Sequence, residues 1–190
     1  MEKLPTSLEG PLLLRTDLHR DDRGLFAETF RVSELREHGV DLDWVQDNRS
    51  RSRRGVVRGL HFQVGEGQAK IVQCVRGEIF DVLVDLRRGS PTYGRWESYA
   101  LSDENGIQLI APVGFAHGFC AVSEVADVVY KCSSYYAPEL ERTIAHDDPD
   151  LGIAWPDLEL ILSERDRKAP HLAEIADGLP FEWQARGPNA

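Results

Sequence analysis

Gly55-Val56-Val57-Arg58-Gly59-Leu60-His61-Phe62-Gln63, followed by Lys70 and Gly77, is the first of two stretches whose reading decides the fold. The second runs from Gly106 through Pro112-Val113-Gly114-Phe115-Ala116-His117-Gly118-Phe119. Each sets one histidine in an apolar run bounded by glycines. Between them, Lys70-Ile71-Val72-Gln73-Cys74-Val75, a turn at Arg76-Gly77 and Glu78 to Leu86 read as a β-hairpin rich in β-branched residues. In its second strand Phe80, Val82, Val84 and Leu86 share one face, while Asp81 and Asp85 share the other, which must be wet or be polar inside a pocket. Further strands are predicted at Trp96 to Leu101, Ile107 to Ala111, Gly118 to Val122 and Val125 to Ser133, separated by turn residues such as Asp103-Glu104-Asn105-Gly106. Many short strands at this spacing imply an antiparallel sandwich or barrel.

The spacing of the two stretches resembles the two half-motifs of the cupins, which implies an all-β, double-stranded β-helix (jelly roll) with short peripheral helices. A metal-binding cupin carries His-x-His and then a glutamate in the first half-motif; here the second histidine is Gln63 and the glutamate is Lys70. A divalent cation is held by neutral imidazole and carboxylate, and an amide weakens its site while an ammonium opposes it. No metal is expected. What remains is a lone histidine, a lysine and an arginine, which suits proton transfer beside an anionic ligand.

Helix is minor. Ser33 to His38, with Ser33 as N-cap and Gly39 closing the end, reads as one short helix, and Pro170 to Ala176 as another. The polar chain after Asp147-Asp148-Pro149 is expected to wrap the barrel. Residues 1–190 read as a single domain, 42% hydrophobic and 28% charged, with neither internal repeat nor low-complexity linker. A net charge of -10 argues against nucleic acid or an anionic membrane as partner. No run approaches the length of a membrane span, so a cytoplasmic protein is expected. Cys74, Cys120 and Cys132 are odd in number, sit in apolar runs and lack metal-ligand spacing, so buried reduced thiols are the reading. The run Arg49-Ser50-Arg51-Ser52-Arg53-Arg54 reads as a solvated loop leading to a pocket, or an electrostatic guide for an anion.

Eight strings occur in order: Asp22-Arg23-Gly24-Leu25-Phe26-Ala27-Glu28, Gln46-Asp47-Asn48-Arg49-Ser50, Val57 to Gln63, Gln68-Ala69-Lys70, Phe80 to Asp85, Ser90-Pro91-Thr92-Tyr93-Gly94, Gly114 to Phe119 and Ile153-Ala154-Trp155-Pro156. Together they resemble the dTDP-4-dehydrorhamnose 3,5-epimerase family of sugar-nucleotide epimerases over nearly the whole chain. The resemblance implies epimerisation of a dTDP-4-keto-6-deoxyhexose at C3 and C5, without a cofactor. The hydrogens on these carbons lie beside a carbonyl, so the reaction needs a base, a cation for the enolate oxygen, and an acid opposite the base.

By this resemblance His61 is the base, its ring oriented by Asp166, and an imidazole exchanges protons readily near neutral pH. Lys70 stabilises the enolate in the metal's place; as a bare residue it could equally be a strand-start lysine reaching solvent. Tyr130 is the proton donor, chosen over Tyr135 and Tyr136, which follow it closely. Arg58, Arg23 and Arg165 supply forked donors for phosphate oxygens, and Glu28, Gln46 and Asn48 hydrogen bonds for base and sugar, with Phe26 beside them. The glycines next to Arg23 and Arg58 serve turns or packing. His117 and Glu141 match ligand contacts of the family, although His117 also reads as a buried histidine paired with Asp81. Arg165 stands where the family often has lysine. His19, His38, His146 and His171 read as surface or loop residues.

The resemblance further implies a homodimer in which N-terminal strand material, including the apolar Pro11-Leu12-Leu13-Leu14, crosses to the partner's sheet and carries Phe26 and Glu28 toward the other subunit's pocket. Three other functions compete: a C3-only or C5-only epimerase of a deoxysugar pathway, a non-catalytic nucleotide-sugar-binding cupin, and a metal-dependent cupin, which Gln63 and Lys70 disfavour.

Overall fold

The computed structural model describes residues 1–184. Along the chain lie β1 (Glu2–Leu4), β2 (Leu12–Arg15), β3 (His19–Asp21), β4 (Gly24–Phe26), α1 (Val32–Glu37), β5 (Gln46–Arg53), β6 (Val57–Gln63) and β7 (Lys70–Arg76). There follow β8 (Glu78–Asp85), β9 (Trp96–Ser102), β10 (Ile107–Ala111), β11 (Phe115–Ala121), β12 (Val125–Cys132), β13 (Glu141–Thr143), α2 (Glu164–Arg167) and α3 (Leu172–Ile175). One antiparallel sheet has the order β1-β2-β10-β7-β12-β5 and a second the order β13-β6-β11-β8-β9, while β3 and β4 form a separate hairpin. This is the antiparallel sandwich that the strand spacing predicts, in the jelly-roll form that the cupin resemblance implies.

Alternation along each strand sets the layers. Leu13, Val72, Leu109 and Val128 from the first sheet meet Ile79, Leu83, Leu101 and Phe119 from the second to make the central core. On the outer face of the second sheet, Leu60, Val82, Val84 and Leu86 pack under Ile144, Leu151, Leu172 and Phe181, so the tail does wrap the roll. The outer face of the first sheet offers Leu12, Leu14, Ile71 and Ile110 to Leu35 of α1 and to Phe30, Val40 and Trp44.

Three expectations change. Asp85 shares its face of β8 with Ile79 and Leu83 of the central core and is neither wet nor in the pocket: it is fully buried and accepts hydrogen bonds from Arg87, Ser90 and Thr92. The run from Arg49 is not a loop. It belongs to β5, an edge strand paired with β12, where Arg49 and Arg51 point outward onto Asp127. The N-cap of helix α1 lies two residues early, at Arg31 rather than Ser33 and with no side-chain capping bond, because docking of Leu35 fixes the helix against the sheet. Within the chain, β2 lies between β1 and β10 with Leu14 fully buried, while the β3–β4 hairpin stands exposed.

Candidate active site

The cleft opens between the two sheets at one end of the roll, with a cavity volume of about 330 Å³. Strand β6 supplies Arg58 and His61, β7 Lys70, β11 His117, β12 Tyr130, β13 Glu141, and α2 Arg165 and Asp166. His61 and His117 are direct cross-strand partners. The two strands can come this close because both carry glycine: a Cβ on Gly59, whose φ is +131°, would lie 2.4 Å from the Gly118 Cα. Gly24 serves the β3–β4 turn with a φ of +122°.

His61 Nε2 lies 2.7 Å from Asp166 Oδ1. A carboxylate only accepts, so Nε2 carries hydrogen and Nδ1 is left as the basic nitrogen of the neutral ring. Burial alone would raise the Asp166 pKa, but the hydrogen bond and charge of His61, with the Ser163 hydroxyl, hold it below the usual carboxylate range. Asp166 itself is set by the start of α2, where its backbone N–H donates to the Ser163 N-cap hydroxyl.

Lys70 is deeply enclosed, and desolvation lowers its pKa against the opposing pull of Cys132, Glu141 and Asp81. Its Nζ stands 5.9 Å from the centre of the Tyr130 ring, and burial raises the Tyr130 pKa. His117 Nε2 donates to both oxygens of Asp81, at 3.0 and 2.9 Å. His117 is thus the buried partner of Asp81, and it also lines the cleft. The site thus joins a ring nitrogen held by a carboxylate, a dry amine and a phenol around one space.

Gln46 and Asn48 lie on the inward face of β5 and bond to each other, outside the cleft lining but on the same strand face as Ser50, which lines it. Arg23, Phe26 and Glu28 are elsewhere: Arg23 pairs with Asp21, Glu28 with Arg31, and Phe26 is 71% exposed, and none lines the His61 cleft of its own chain. Tyr136, set aside in favour of Tyr130, lines the cleft and donates to Glu141 Oε2 at 2.8 Å. The helix that places Arg165 and Asp166 was also missed, although Ser163 followed by an acidic turn is a legible start signal. His38 and His171 cap α1 and α3 and His19 lies on the exposed hairpin, while His146 is a loop residue that is mostly buried. Cys74, Cys120 and Cys132 are buried and unpaired, and burial pushes the Cys74 and Cys120 thiols up to about 11. Among the described residues no helix is long and apolar enough to cross a membrane.

The family model for dTDP-4-dehydrorhamnose 3,5-epimerase matches residues 5–174. The enzyme of that name from Methanothermobacter thermautotrophicus is 50% identical over 175 residues, which are 90% of this chain and 94% of the relative. Among solved structures, the dTDP-6-deoxy-D-glucose-3,5-epimerase of Legionella pneumophila, in complex with dTDP-4-keto-L-rhamnose, superposes with a TM-score of 0.94 at 42% identity, covering 97% of this chain and 99% of that one. A 3′-monoepimerase from Streptomyces bikiniensis, in complex with dTDP-quinovose, gives 0.90 at 43% identity, with 95% and 93% covered. With sequence match and fold agreeing over nearly its full length, the chain belongs to the dTDP-4-dehydrorhamnose 3,5-epimerase family of isomerases.

Proposed function

We propose that the cleft epimerises a dTDP-4-keto-6-deoxyhexose at C3 and C5. The observation that carries this reading is that His61 and Tyr130 belong to different sheets facing each other across one cleft, with Lys70 beside the tyrosine. A base and an acid on opposite walls is what inversion of a carbon beside a carbonyl requires.

His61 Nδ1 takes the proton from the carbon, and the electron pair of the broken C–H bond moves onto the carbonyl oxygen as an enolate. The imidazolium that forms is stabilised by Asp166. Lys70 donates a hydrogen bond to the enolate oxygen in a dry setting, where such a contact contributes a few kcal/mol. Tyr130 then gives its hydroxyl proton to the opposite face, and solvent restores phenol and imidazole for the next turnover. No step requires a metal or a cofactor.

Arg58 and Arg165 offer forked donors to the diphosphate, and Glu141, Gln46 and Asn48 polar contacts to sugar and base. Arg23, Phe26 and Glu28 reach this cleft in a homodimer, delivered by the β3–β4 hairpin of the second copy, whose exposed Leu25 and Phe26 need a cover. Buried unpaired thiols suit the reducing cytoplasm. Residues 1–190 are read as one domain, a reading supported by the core between the sheets and the packing of the tail on the second sheet. Incubation with dTDP-4-keto-6-deoxy-D-glucose in deuterium oxide tests the assignment: deuterium at both C3 and C5 is expected. Label at one carbon only would make this a single-centre epimerase, and label at neither a binding protein.

A further inference from the structure

Gln63 stands two residues after His61 on β6, on the same face, and is 5% exposed. A metal-holding roll has its second histidine at this place. Here the amide is fully engaged by one segment, the chain that leaves β12 beyond Tyr130. Its Oε1 accepts from the Ala137 backbone N–H at 2.8 Å, and its Nε2 donates to the Tyr135 carbonyl at 3.4 Å and the Ser134 hydroxyl at 3.5 Å. A neutral imidazole has one donor and one acceptor on different edges of a rigid ring; a terminal amide presents both together.

The segment so held brings Tyr136 to the cleft. Its backbone N–H donates to Gln46 at 2.9 Å, and its hydroxyl donates to Glu141, the residue paired with Gln63 across β13 and β6. Glu141 in turn receives Arg165, the neighbour of Asp166. We propose that Gln63 is a positioning residue that clamps Ser134 to Ala137 and so fixes Tyr136, and through it Glu141, in the cleft wall beside His61. The inference rests on the cleft being the epimerase site argued above. Where a metal cupin binds its ion, this chain fastens its own wall.

Two variants separate the amide's roles. Gln63→Leu removes every contact, whereas Gln63→Glu keeps an oxygen for the Ala137 N–H and loses both donors. In hydrogen exchange read by mass spectrometry, the Ala137 amide is expected to lose protection in Gln63→Leu and keep it in Gln63→Glu. Kinetically, Gln63→Leu raises KM about tenfold with kcat within about threefold of wild type. Tyr136→Phe, harmful alone, adds no further loss on top of Gln63→Leu, because both act through one contact. Multiplying effects of the two substitutions, or an Ala137 amide still protected in Gln63→Leu, would overturn the clamp. Should Gln63→Leu fail to fold, Gln63→Met, which also removes every hydrogen bond of the amide but keeps its length, carries the same additivity test with Tyr136→Phe. A wild type that binds dTDP without epimerising would remove the functional reading, while amide exchange still reports on the clamp.

Discussion

The His61–Asp166 pair concentrates the chemistry into one hydrogen bond, so it is where substitution is most informative. His61→Asn is expected to slow deuterium uptake at both substrate carbons by about a thousandfold, the range of a lost general base, with dTDP affinity nearly unchanged. Exchange within tenfold of wild type would remove His61 from the role. Asp166→Asn keeps a hydrogen-bonding group but can present its amide to the ring and favour the wrong tautomer; a loss of about a hundredfold or more in kcat is expected, with KM little changed. Lys70→Ala should slow exchange more than Tyr130→Phe does, since the enolate must be stabilised before it can be reprotonated. His61 and Lys70 were legible in the sequence because motif strings carry them, and Tyr130 and Asp166 only through the family resemblance that those strings support. Tyr136 and Gln63 were not: their roles depend on which turn their hydrogen bonds reach, and that is settled only when β12 and β6 lie side by side.

At the scale of elements, the loop after β8 hangs on a single carboxylate. Burial would raise the Asp85 pKa, but donors from Arg87, Ser90 and Thr92 hold it below its ordinary value. The unfolded chain therefore takes up the proton at a higher pH than the folded one. The stability that Asp85 contributes is present above about pH 4 and is lost as pH falls through the folded-state value. Asp85→Asn should lower stability at pH 7 by about 1–3 kcal/mol, and its stability should fall less steeply from pH 5 to pH 3 than that of wild type in urea titrations. Equal acid slopes would contradict this. Asp81 and Asp85 show where reading by pattern runs out, since alternation puts both on one face while their partners decide that one holds His117 at the cleft and the other ties a loop. Edge strand β5 was misread for a related reason. Its arginines suggest solvent, and only pairing with β12 and Asp127 makes the strand visible.

For the whole molecule, turn spacing and alternation made an antiparallel β roll legible, whereas delivery of Phe26 and Glu28 by a second copy came from the family resemblance alone, and neither residue lines the cleft of its own chain. If a second copy delivers them, two damaged chains should repair each other. Mixing His61→Asn with Phe26→Ala under conditions that exchange subunits creates a dimer in which one cleft has both an intact His61 and the partner's intact Phe26. Activity above that of either variant alone is expected in such mixtures, and no recovery despite exchange would refute the shared cleft.

The central claim is that a base and an acid act from facing sheets on opposite sides of one carbon. Tyr130→Phe in deuterium oxide tests it most directly, with exchange into recovered substrate and formation of inverted product followed together by NMR. Deuterium uptake on the His61 side is expected to continue at a measurable rate while inverted product falls by about a hundredfold. Equal loss of exchange and inversion would contradict the account and leave Tyr130 as a packing residue of the cleft wall.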